Sequence, residues 1–211
     1  VDYTEDIYVG YRYFETIPGA AEKVVYPFGY GLSYTTFDVE TVSAGVVNSN
    51  CTSETNKLYA KVRVTNTGKF SGKEVVQVYI AKPQGKLGKP AKELAAFEKT
   101  RELQPGESQL MILTWEINDM ASYDDLGKVK KSAYVLEAGS YDIYVGTSVR
   151  DVTKADYSYI LNHDVITEQL SAKLVPTSLP KRMLADGSYE ALPQSEPVDT
   201  DYSAIGNIDP S

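Results

Sequence analysis

The stretch LYAKVRVTNTG, residues 58–68, carries the pattern that decides the fold. Every second residue from Leu58 to Val64 is apolar, and the residues between them are polar or aromatic. A period of two residues is typical of a β-strand with one face on a core and the other in water. The tripeptide Asn66–Gly68 then predicts a turn, because Asn and Gly tolerate positive φ.

Similar strand patterns lie on both sides of this stretch. We predict strands in FDVETVSAGVV (37–47), EVVQVYIAKP (74–83), SQLMILTWEI (108–117) and YSYILNHDV (157–165). In the second of these, the alternation puts Val76, Val78 and Ile80 on one face. It puts Gln77 and Tyr79 on the opposite face, which we expect to be exposed.

Two further segments need a choice between alternatives. KELAAFEKTREL (92–103) has helical propensity, but Pro105-Gly106 stops a helix early, so we interpret the segment as an edge strand. AYVLEAGSYDIYVGTS (133–148) predicts a hairpin with its turn at Ala138-Gly139. Its second strand would point Tyr141, Ile143 and Val145 inward.

These patterns together predict an all-β protein. Seven or eight short strands separated by turns indicate an immunoglobulin or fibronectin type III-like antiparallel β-sandwich with extended N- and C-terminal segments. We expect Trp115 and Phe97 to be the large fillers of its core. Residues 118–128 predict a short helical turn capped by Asn118.

Composition excludes several classes of function. The 211-residue chain has a net charge of −8, which disfavours nucleic acid as a partner. No apolar run reaches the ~20 residues that span a bilayer, so we predict no membrane partner. With one Cys and one His we expect no internal disulfide and no metal site. The start, VDYTEDIYVG, is no signal peptide, and we expect the chain to begin inside a longer protein.

The residues present offer little for catalysis. A Ser-His-Asp triad would have to use His163, which we interpret as a partly exposed histidine after a strand. The carboxylates of Asp124-Asp125 are adjacent and point apart, which favours a solvated turn or cap over a glycosidase pair. Cys51 has no sequence-local base and is interpreted as an inert thiol. The sequon at residues 50–52 has no meaning without a secretory context.

The aromatic segment YPFGYGLSYTTF, residues 26–37, admits three interpretations. A phosphate loop fails, because the further glycine, the Lys and the helix of such loops are missing, so no nucleotide cofactor is predicted. An aromatic platform for sugars stays open, but a connector between two domains is favoured. The predicted seam residues are Tyr26, Pro27, Phe28, Gly29, Tyr30, Gly31 and Tyr34. We expect Gly31 to hold a backbone conformation or close contact that a branched residue cannot adopt.

Other tyrosines are weaker candidates for contact with a carbohydrate. Tyr59, Tyr79 and Tyr144 fall on the predicted polar faces of their strands. Tyrosines on neighbouring strands also stabilise sheets without any ligand. An independent carbohydrate- or surface-binding module is therefore the alternative to a connector module.

Several motifs in order resemble one enzyme family. EDIYVGYRYFE and VVYPFGYGLSYTTF resemble the end of the α/β sandwich domain of glycoside hydrolase family 3, which includes β-glucosidases. VRVTNTGKFSGKEVVQVYI, KPAKELAAFEKTREL, MASYDD and AGSYDIYVGTSVRD resemble that family's fibronectin type III-like domain. Each match is weak alone, but together they cover roughly residues 5 to 152.

The resemblance implies a non-catalytic role for this section. In the family the Asp nucleophile lies in a (β/α)8 barrel and the acid/base Glu lies earlier in the α/β sandwich domain, and neither motif is found here. The resemblance therefore implies a module that braces those two domains, with carbohydrate handled only by the parent enzyme through a retaining two-carboxylate mechanism. A further possibility is that the loop PQGKLGKP, residues 83–90, reaches the parent's active-site rim.

The resemblance also implies a domain order. Residues 1–35 would be the end of the α/β sandwich domain with the connector, and residues 36–168 the fibronectin type III-like domain. Residues 169–211 would be a linker or wrapping tail toward a following barrel, as in family members with permuted order. The permuted order and the few cysteines lean toward a bacterial cytoplasm.

Overall fold

Segments with alternating apolar residues form strands, and these strands pair into two stacked sheets. The computed structural model describes residues 3–47, 56–171 and 179–193. Within these ranges the strands are β1 (Phe37–Val46), β2 (Lys57–Asn66), β3 (Val75–Ala81), β4 (Glu93–Lys99), β5 (Ser108–Glu116), β6 (Ser122–Asp124), β7 (Ala133–Leu136), β8 (Gly139–Gly146), β9 (Val152–Leu161), β10 (Val165–Gln169), β11 (Lys181–Met183) and β12 (Tyr189–Ala191). A short helix α1 covers Tyr11–Thr16, and 3₁₀ turns cover Ala20–Lys23 and Asn118–Met120.

The sandwich consists of a three-stranded and a four-stranded antiparallel sheet. The strand orders are β1-β2-β5 and β4-β3-β8-β9, so seven of the strands in the described ranges form the two layers. A third small sheet has the order β10-β7-β6, and β11 pairs with β12. The predicted all-β, fibronectin type III-like sandwich is confirmed, as is the edge position of β4.

The core lies between the two sheets and uses the alternation seen in the sequence. Most of it consists of buried apolar side chains of β2, β3, β5 and β8, and Trp115 of β5 is one of them. Tyr141, Ile143 and Val145 point inward, as predicted. Phe97 does not, since 68% of its side chain is exposed. It pairs across the ladder with Gln77, and cross-strand partners share a face, so Phe97 lies on the outer face of the sheet.

Two local predictions are wrong because sequence patterns do not indicate which strands pair or which residue caps a turn. β7 and β8 form no hairpin, because β7 pairs with β6 and β10 whereas β8 pairs with β3 and β9. Alternation indicates which face of a strand is buried, but it does not indicate the partner strand. The residue before the 3₁₀ turn is Ile117, and no side chain caps that turn, so Asn118 is not its cap.

Asn66 joins three segments at the end of β2. Its buried side-chain amide donates to the carbonyls of Phe70 (2.7 Å) and Leu103 (2.8 Å). Its side-chain oxygen accepts from the Thr35 hydroxyl (2.7 Å) and the Gly68 N–H (3.0 Å). Neither Asn66 nor Gly68 has a positive φ, so the predicted reason for this turn is wrong. The turn is held by side-chain hydrogen bonds instead.

Asp124 organises the loop between β6 and β7. The side chain is buried, and its two oxygens accept from the backbone N–H groups of Gly127, Lys128, Val129 and Lys130 at 2.7–3.0 Å. Burial alone would raise the pKa of Asp124, but these four hydrogen bonds outweigh it and hold the pKa below its ordinary value. Asp125 is exposed and pairs with Arg182. The two carboxylates do point apart, and Asp124 is a buried cap rather than a solvated one.

Replacing Asn66 by Ala is expected to lower the free energy of unfolding by about 3 kcal/mol, because buried carbonyls and a hydroxyl lose their partner. Urea denaturation followed by far-UV circular dichroism measures this change. Asn118→Ala is the matched control, since the Asn118 side chain is exposed and caps nothing. The control should shift stability by no more than about 0.5 kcal/mol. Equal effects of the two changes would refute the role given to Asn66.

Asp124→Asn is expected to cost about 2 kcal/mol at neutral pH, because an amide oxygen cannot replace a carboxylate that accepts four N–H groups. The folded pKa lies below the ordinary 3.8, so the carboxylate's contribution is present above 3.8 and is lost as the pH falls through the folded value. The gap between wild type and variant should therefore shrink on acidification. A gap that stays constant with pH contradicts this, and Asp156→Asn, at an exposed position, is the control.

Candidate functional site: the covered face of the four-stranded sheet

Strand β3 is buried on both faces, although its sequence predicts one wet face. Val76, Val78 and Ile80 point into the core. Gln77 and Tyr79 point the other way, yet only 6% and 0% of their surfaces are exposed. The prediction that Tyr79 lies on an exposed face is wrong, because the N-terminal segment covers this face.

Aromatic rings of the N-terminal segment form the cover. Tyr11 lies edge-on to Tyr79, with ring centroids 6.2 Å apart, and stacks on Phe28 at 4.4 Å. The Tyr11 hydroxyl accepts a hydrogen bond from the backbone N–H of Leu94 (2.9 Å) on the neighbouring strand β4. Tyr11 therefore links the segment to two strands through packing and hydrogen bonding.

The polar groups under this cover are paired. The Tyr79 hydroxyl donates to Gln77 Oε1 (2.5 Å), and Gln77 Nε2 donates to the Thr147 carbonyl (2.6 Å) and, more weakly, to the Gly29 carbonyl (3.4 Å). Burial raises the pKa of Tyr79, so its hydroxyl stays protonated and remains a donor. The pairing removes the cost of burying an amide and a phenol.

Gly29, and not Gly31, is the glycine that this arrangement needs. Gly29 has φ +84°, and a Cβ at this position would lie 2.3 Å from Gln77 Oε1. Gly31 has no positive φ, and apart from its two chain neighbours no atom of the described residues lies within 4 Å of a Cβ placed there. The special role predicted for Gly31 therefore has no basis in its backbone or its contacts.

Ionic and backbone contacts complete the attachment of the segment. Arg150 pairs with Glu15 at 2.8 Å and donates to the Ala21 carbonyl at 3.1 Å. The Val149 N–H donates to the Phe28 carbonyl at 2.9 Å. Exposed ion pairs contribute little, but Glu15 is only 11% exposed and is held by a guanidinium fork. The N-terminal segment is therefore an integral layer of the fold.

Beyond this attached part, the segment leaves apolar side chains in water. Six of them fall within ten residues. Phe28 (44% exposed) also stacks on Tyr11, and we term the other five the seam surface: Val25 (82% exposed), Tyr26 (69%), Tyr30 (48%), Leu32 (90%) and Tyr34 (96%). The rings of Tyr26 and Tyr30 stack at 5.1 Å. Of the predicted seam residues, Gly29 lies against Gln77 of β3, and Phe28 stacks on Tyr11 while 44% of it stays exposed. Tyr26, Tyr30 and Tyr34 face solvent.

A cleft of about 760 Å³ borders the seam surface. Pro27, Tyr30, Gly31 and Leu32 line one side. Lys73, Glu74, Lys99, Arg150 and Asp151 line the other. Burial raises the pKa of Glu74 above its ordinary value. The cleft therefore combines one aromatic ring, that of Tyr30, with charged groups of both signs.

The other sugar-contact candidates do not form one platform. Tyr59 lies in β2 and Tyr144 in β8, which belong to different sheets, and both side chains are half-buried. The Lys92 ammonium lies 5.3 Å from the centre of the Tyr144 ring. With Tyr79 buried, the structure does not bring the three candidates together. A sugar contact at Tyr59 or Tyr144 stays a prediction.

A buried ion pair fixes the loop at residues 83–90. Lys89 and Glu137 pair although their side chains are only 1% and 4% exposed. Glu137 also accepts from the Lys86 N–H at 2.6 Å. Removing one partner of a buried pair typically costs about 3–5 kcal/mol. Sequence reasoning missed this pair, because no local pattern links two residues so far apart in the chain.

The described part of the tail packs onto the start of the chain. The Met183 N–H donates to the Thr4 carbonyl at 2.7 Å, which joins β11 to the N-terminal segment. Arg182 pairs with Glu190 (2.7 Å), Asp125 (2.8 Å) and Asp6 (3.8 Å). Of the two interpretations of residues 169–211, the described residues have the geometry of a wrapping tail.

Catalytic and metal chemistry receives little support from the described residues. No group of three or more His, Cys, Asp or Glu side chains that could hold a metal ion occurs among them. His163 is exposed after β9, in agreement with its interpretation. Cys51 and the sequon at residues 50–52 lie outside the described residues. No helix in the described ranges is long and apolar enough to cross a membrane.

Comparison with known proteins agrees with the fold and extends it. The family model described as "fibronectin type III-like domain" matches residues 74–149. β-Glucosidase A of Butyrivibrio fibrisolvens is 63% identical over 213 residues, which cover 97% of this chain and 26% of the relative. A solved β-glucosidase from Paenibacillus barengoltzii is 46% identical with a TM-score of 0.78, covering 92% of this chain and 22% of that one. A solved GH3 β-glucosidase from Bifidobacterium adolescentis is 33% identical with a TM-score of 0.65, covering 83% and 24%.

The fold and the match to the family model together show that this chain contains a fibronectin type III-like domain. The resemblance to glycoside hydrolase family 3 is confirmed: the chain corresponds to the section of these enzymes that holds that domain. The chain spans about a quarter of the length of these relatives, at 26%, 22% and 24%.

Gly29→Ala is expected to lower the free energy of unfolding by about 1–3 kcal/mol, because a side chain at positive φ is strained and the Gln77 amide must move away. Gly31→Ala is the matched control and should change it by less than about 0.5 kcal/mol. Urea denaturation of both variants measures the difference. Similar midpoints for the two would show that the approach of Gly29 to Gln77 does not constrain the fold.

Proposed function

We propose that this chain is a structural module of a longer β-glucosidase, where it braces other domains and performs no chemistry itself. The observation that supports this most is the seam surface. It presents apolar and aromatic side chains to solvent on a segment whose other residues are firmly attached to β3.

The seam surface has the composition of an interface between domains. Aromatic side chains with a polar tip are enriched where proteins contact one another. Leu32 and Val25 have no such polar tip. At 90% and 82% exposure, their apolar surface contributes almost no stabilisation through burial. Contiguous exposed apolar surface on a small domain normally marks a contact site.

The relatives supply candidates for the covering partner. They are about four times as long as this chain, so other domains accompany the matching section in each of them. By resemblance, the proposed partners are the α/β sandwich domain and the (β/α)8 barrel. Carbohydrate would then be bound and cleaved by carboxylates of those domains, and this chain would meet it only through the parent enzyme.

The attachment of the N-terminal segment suits a brace. A connector that moved freely would leave neighbouring domains free to rotate. Here Tyr11, Phe28 and Gly29 are packed or hydrogen-bonded to the sheet, and Arg150 holds the segment again at Glu15. The position of a domain joined to this segment would therefore be determined by the sandwich.

One observation favours a second candidate function. Tyr30, which lines the cleft, stacks on Tyr26, and exposed aromatic rings of this type are surfaces on which a pyranose ring can lie. Retention of the purified chain on insoluble glucans, lost in Tyr26→Ala and Tyr30→Ala, would support this carbohydrate-binding module. No retention leaves the brace as the function.

Leu32→Ser and Tyr34→Ser test the brace. Both side chains are almost fully exposed here, so the melting temperature of the 211-residue chain should change by no more than about 2 °C. In the longer enzyme that contains this sequence, the same changes should cost about 1–3 kcal/mol and lower the thermal stability of its activity. Differential scanning calorimetry of both proteins measures this.

Ile112→Thr is the matched control for these variants. Ile112 is 60% exposed on β5 of the other sheet, so it should affect the chain and the longer enzyme equally. If the seam variants behave like this control, the brace is wrong. Turnover of an aryl β-glucoside by the chain alone, abolished by a single Asp or Glu substitution, would also refute it.

A further inference from the structure

The described part of the tail is a small hairpin. Residues 180–192 comprise β11, β12 and the turn between them, and we term them the tail hairpin. Each strand has three residues, and the two strands pair at three positions. The Leu192 N–H also donates to the Pro180 carbonyl at 2.9 Å. A two-stranded hairpin is at best marginally stable alone in water, so this one depends on its contacts with the rest of the chain.

Those contacts bury little apolar surface. None of the described residues 179–193 is buried, and none belongs to the hydrophobic core between the sheets. Met183, Leu184 and Leu192 are only half-buried. Since apolar burial is the dominant favourable term in folding, the tail hairpin gains only part of the stabilisation that a core strand has. Its attachment therefore depends strongly on polar contacts.

Arg182 is the centre of these polar contacts. Its side chain is only 11% exposed and meets carboxylates from three separate segments. Glu190 belongs to the hairpin (2.7 Å), Asp125 to the loop between β6 and β7 (2.8 Å) and Asp6 to the N-terminal segment (3.8 Å). Lys128 of the same loop donates to both oxygens of Glu190 at 2.9 Å. One guanidinium thus joins the hairpin to two other parts of the fold.

The ionic contacts also carry a cost that opening would recover. Burying charges removes their hydration, and mutual attraction repays this only in part. Burial alone would raise the pKa of Glu190, but hydrogen bonds from Lys128 and Arg182 outweigh it and hold the pKa below its ordinary value. For Asp6 burial prevails over the attraction of Arg182, and the pKa is raised. The free energy that keeps the hairpin attached is therefore small compared with that of the core.

A backbone contact determines what the attachment brings together. The Met183 N–H donates to the Thr4 carbonyl at 2.7 Å, so β11 lies beside the beginning of the described chain. We propose that the tail hairpin is a releasable electrostatic latch, which Arg182 closes and which opens as one unit while the sandwich stays folded. The closed latch keeps residues 4 and 183 side by side, and the open latch lets them separate. This device belongs to the chain itself and does not depend on the proposed bracing function.

Amide hydrogen exchange of the 211-residue chain, followed residue by residue by NMR, tests the latch. The Met183 N–H reports the attachment to Thr4, and the Leu192 N–H reports the hairpin. Val62, in the central strand of its sheet, reports the sandwich. Met183 and Leu192 should have similar protection factors that are well above one and far below that of Val62, because local opening needs less free energy than global unfolding.

Ionic strength should open the latch. In sodium chloride raised to about 1 M, the screening length falls to ~3 Å, which weakens attraction between partly exposed charges such as Asp125 and Arg182. The protection of Met183 relative to that of Val62 should then fall severalfold. Using the ratio removes any effect of salt on the chemistry of exchange itself.

Variants of Arg182 identify the group that closes the latch. Arg182→Met keeps an apolar stem but removes the guanidinium, so the protection of Met183 and Leu192 should fall about tenfold while that of Val62 stays unchanged. Arg182→Lys keeps the charge but lacks the planar fork that reaches several carboxylates, and should give an intermediate loss.

Arg63→Met is the matched control. Arg63 pairs with Glu40 at 2.6 Å on the outer face of the three-stranded sheet, away from the tail hairpin, and its loss should leave the protection of Met183 unchanged. If Arg182→Met has no larger effect than this control, other contacts hold the hairpin and the proposal is wrong.

Three further results would overturn the latch. Equal protection of Met183 and Val62 in the wild type would make the hairpin an integral part of the fold. An unprotected Met183 N–H would mean that the hairpin is not attached. A loss of Val62 protection in Arg182→Met as large as that of Met183 would mean that the hairpin cannot open without the sandwich.

Discussion

The hydrogen bonds of Gln77 and Tyr79 beneath the N-terminal segment are the interaction on which the rest of the structure depends. A strand buried on both faces must pair the polar groups on its second face. Gln77 does so by bonding the Tyr79 hydroxyl and the carbonyls of Thr147 and Gly29. Glycine at position 29 adopts φ +84° without strain and leaves room for the Gln77 amide. The aromatic contacts of Tyr11 and the Arg150–Glu15 pair hold the same segment at other points.

This arrangement separates the aromatic segment into two parts with different roles. Gly29 lies against Gln77, and Phe28, although 44% exposed, stacks on Tyr11, so both belong to the module's own packing. Leu32 and Tyr34 face outward and contribute nothing to it. Some residues of this segment are attached to the sheet and others are exposed, which suits the proposed role between domains better than a mobile linker would. This division also explains why the sequence of the segment shows no periodicity.

Sequence reasoning predicted the features that depend on local alternation. The inward positions of β2 and β8 and the edge position of β4 required only the period of two and the Pro105-Gly106 stop. Sequence reasoning failed where a segment distant in the chain determines whether a residue is buried or hydrogen-bonded. Tyr79 has the sequence context of an exposed residue, but the N-terminal segment, with Tyr11 edge-on to the Tyr79 ring, covers it. Asn66 was recognised as a turn residue, but its four side-chain bonds to three loops could not be predicted.

The contact between Thr4 and Met183 has an architectural consequence. Chain positions near the beginning and near the end of the described residues lie side by side, and Arg182 reinforces their proximity through Asp6. A chain that continued from either of these positions would leave the fold at nearly the same point. Exchanging which domain precedes and which follows would then alter the route of the backbone but not the place where each domain meets the sandwich. Chain ends that lie close together are compatible with different orders of the neighbouring domains.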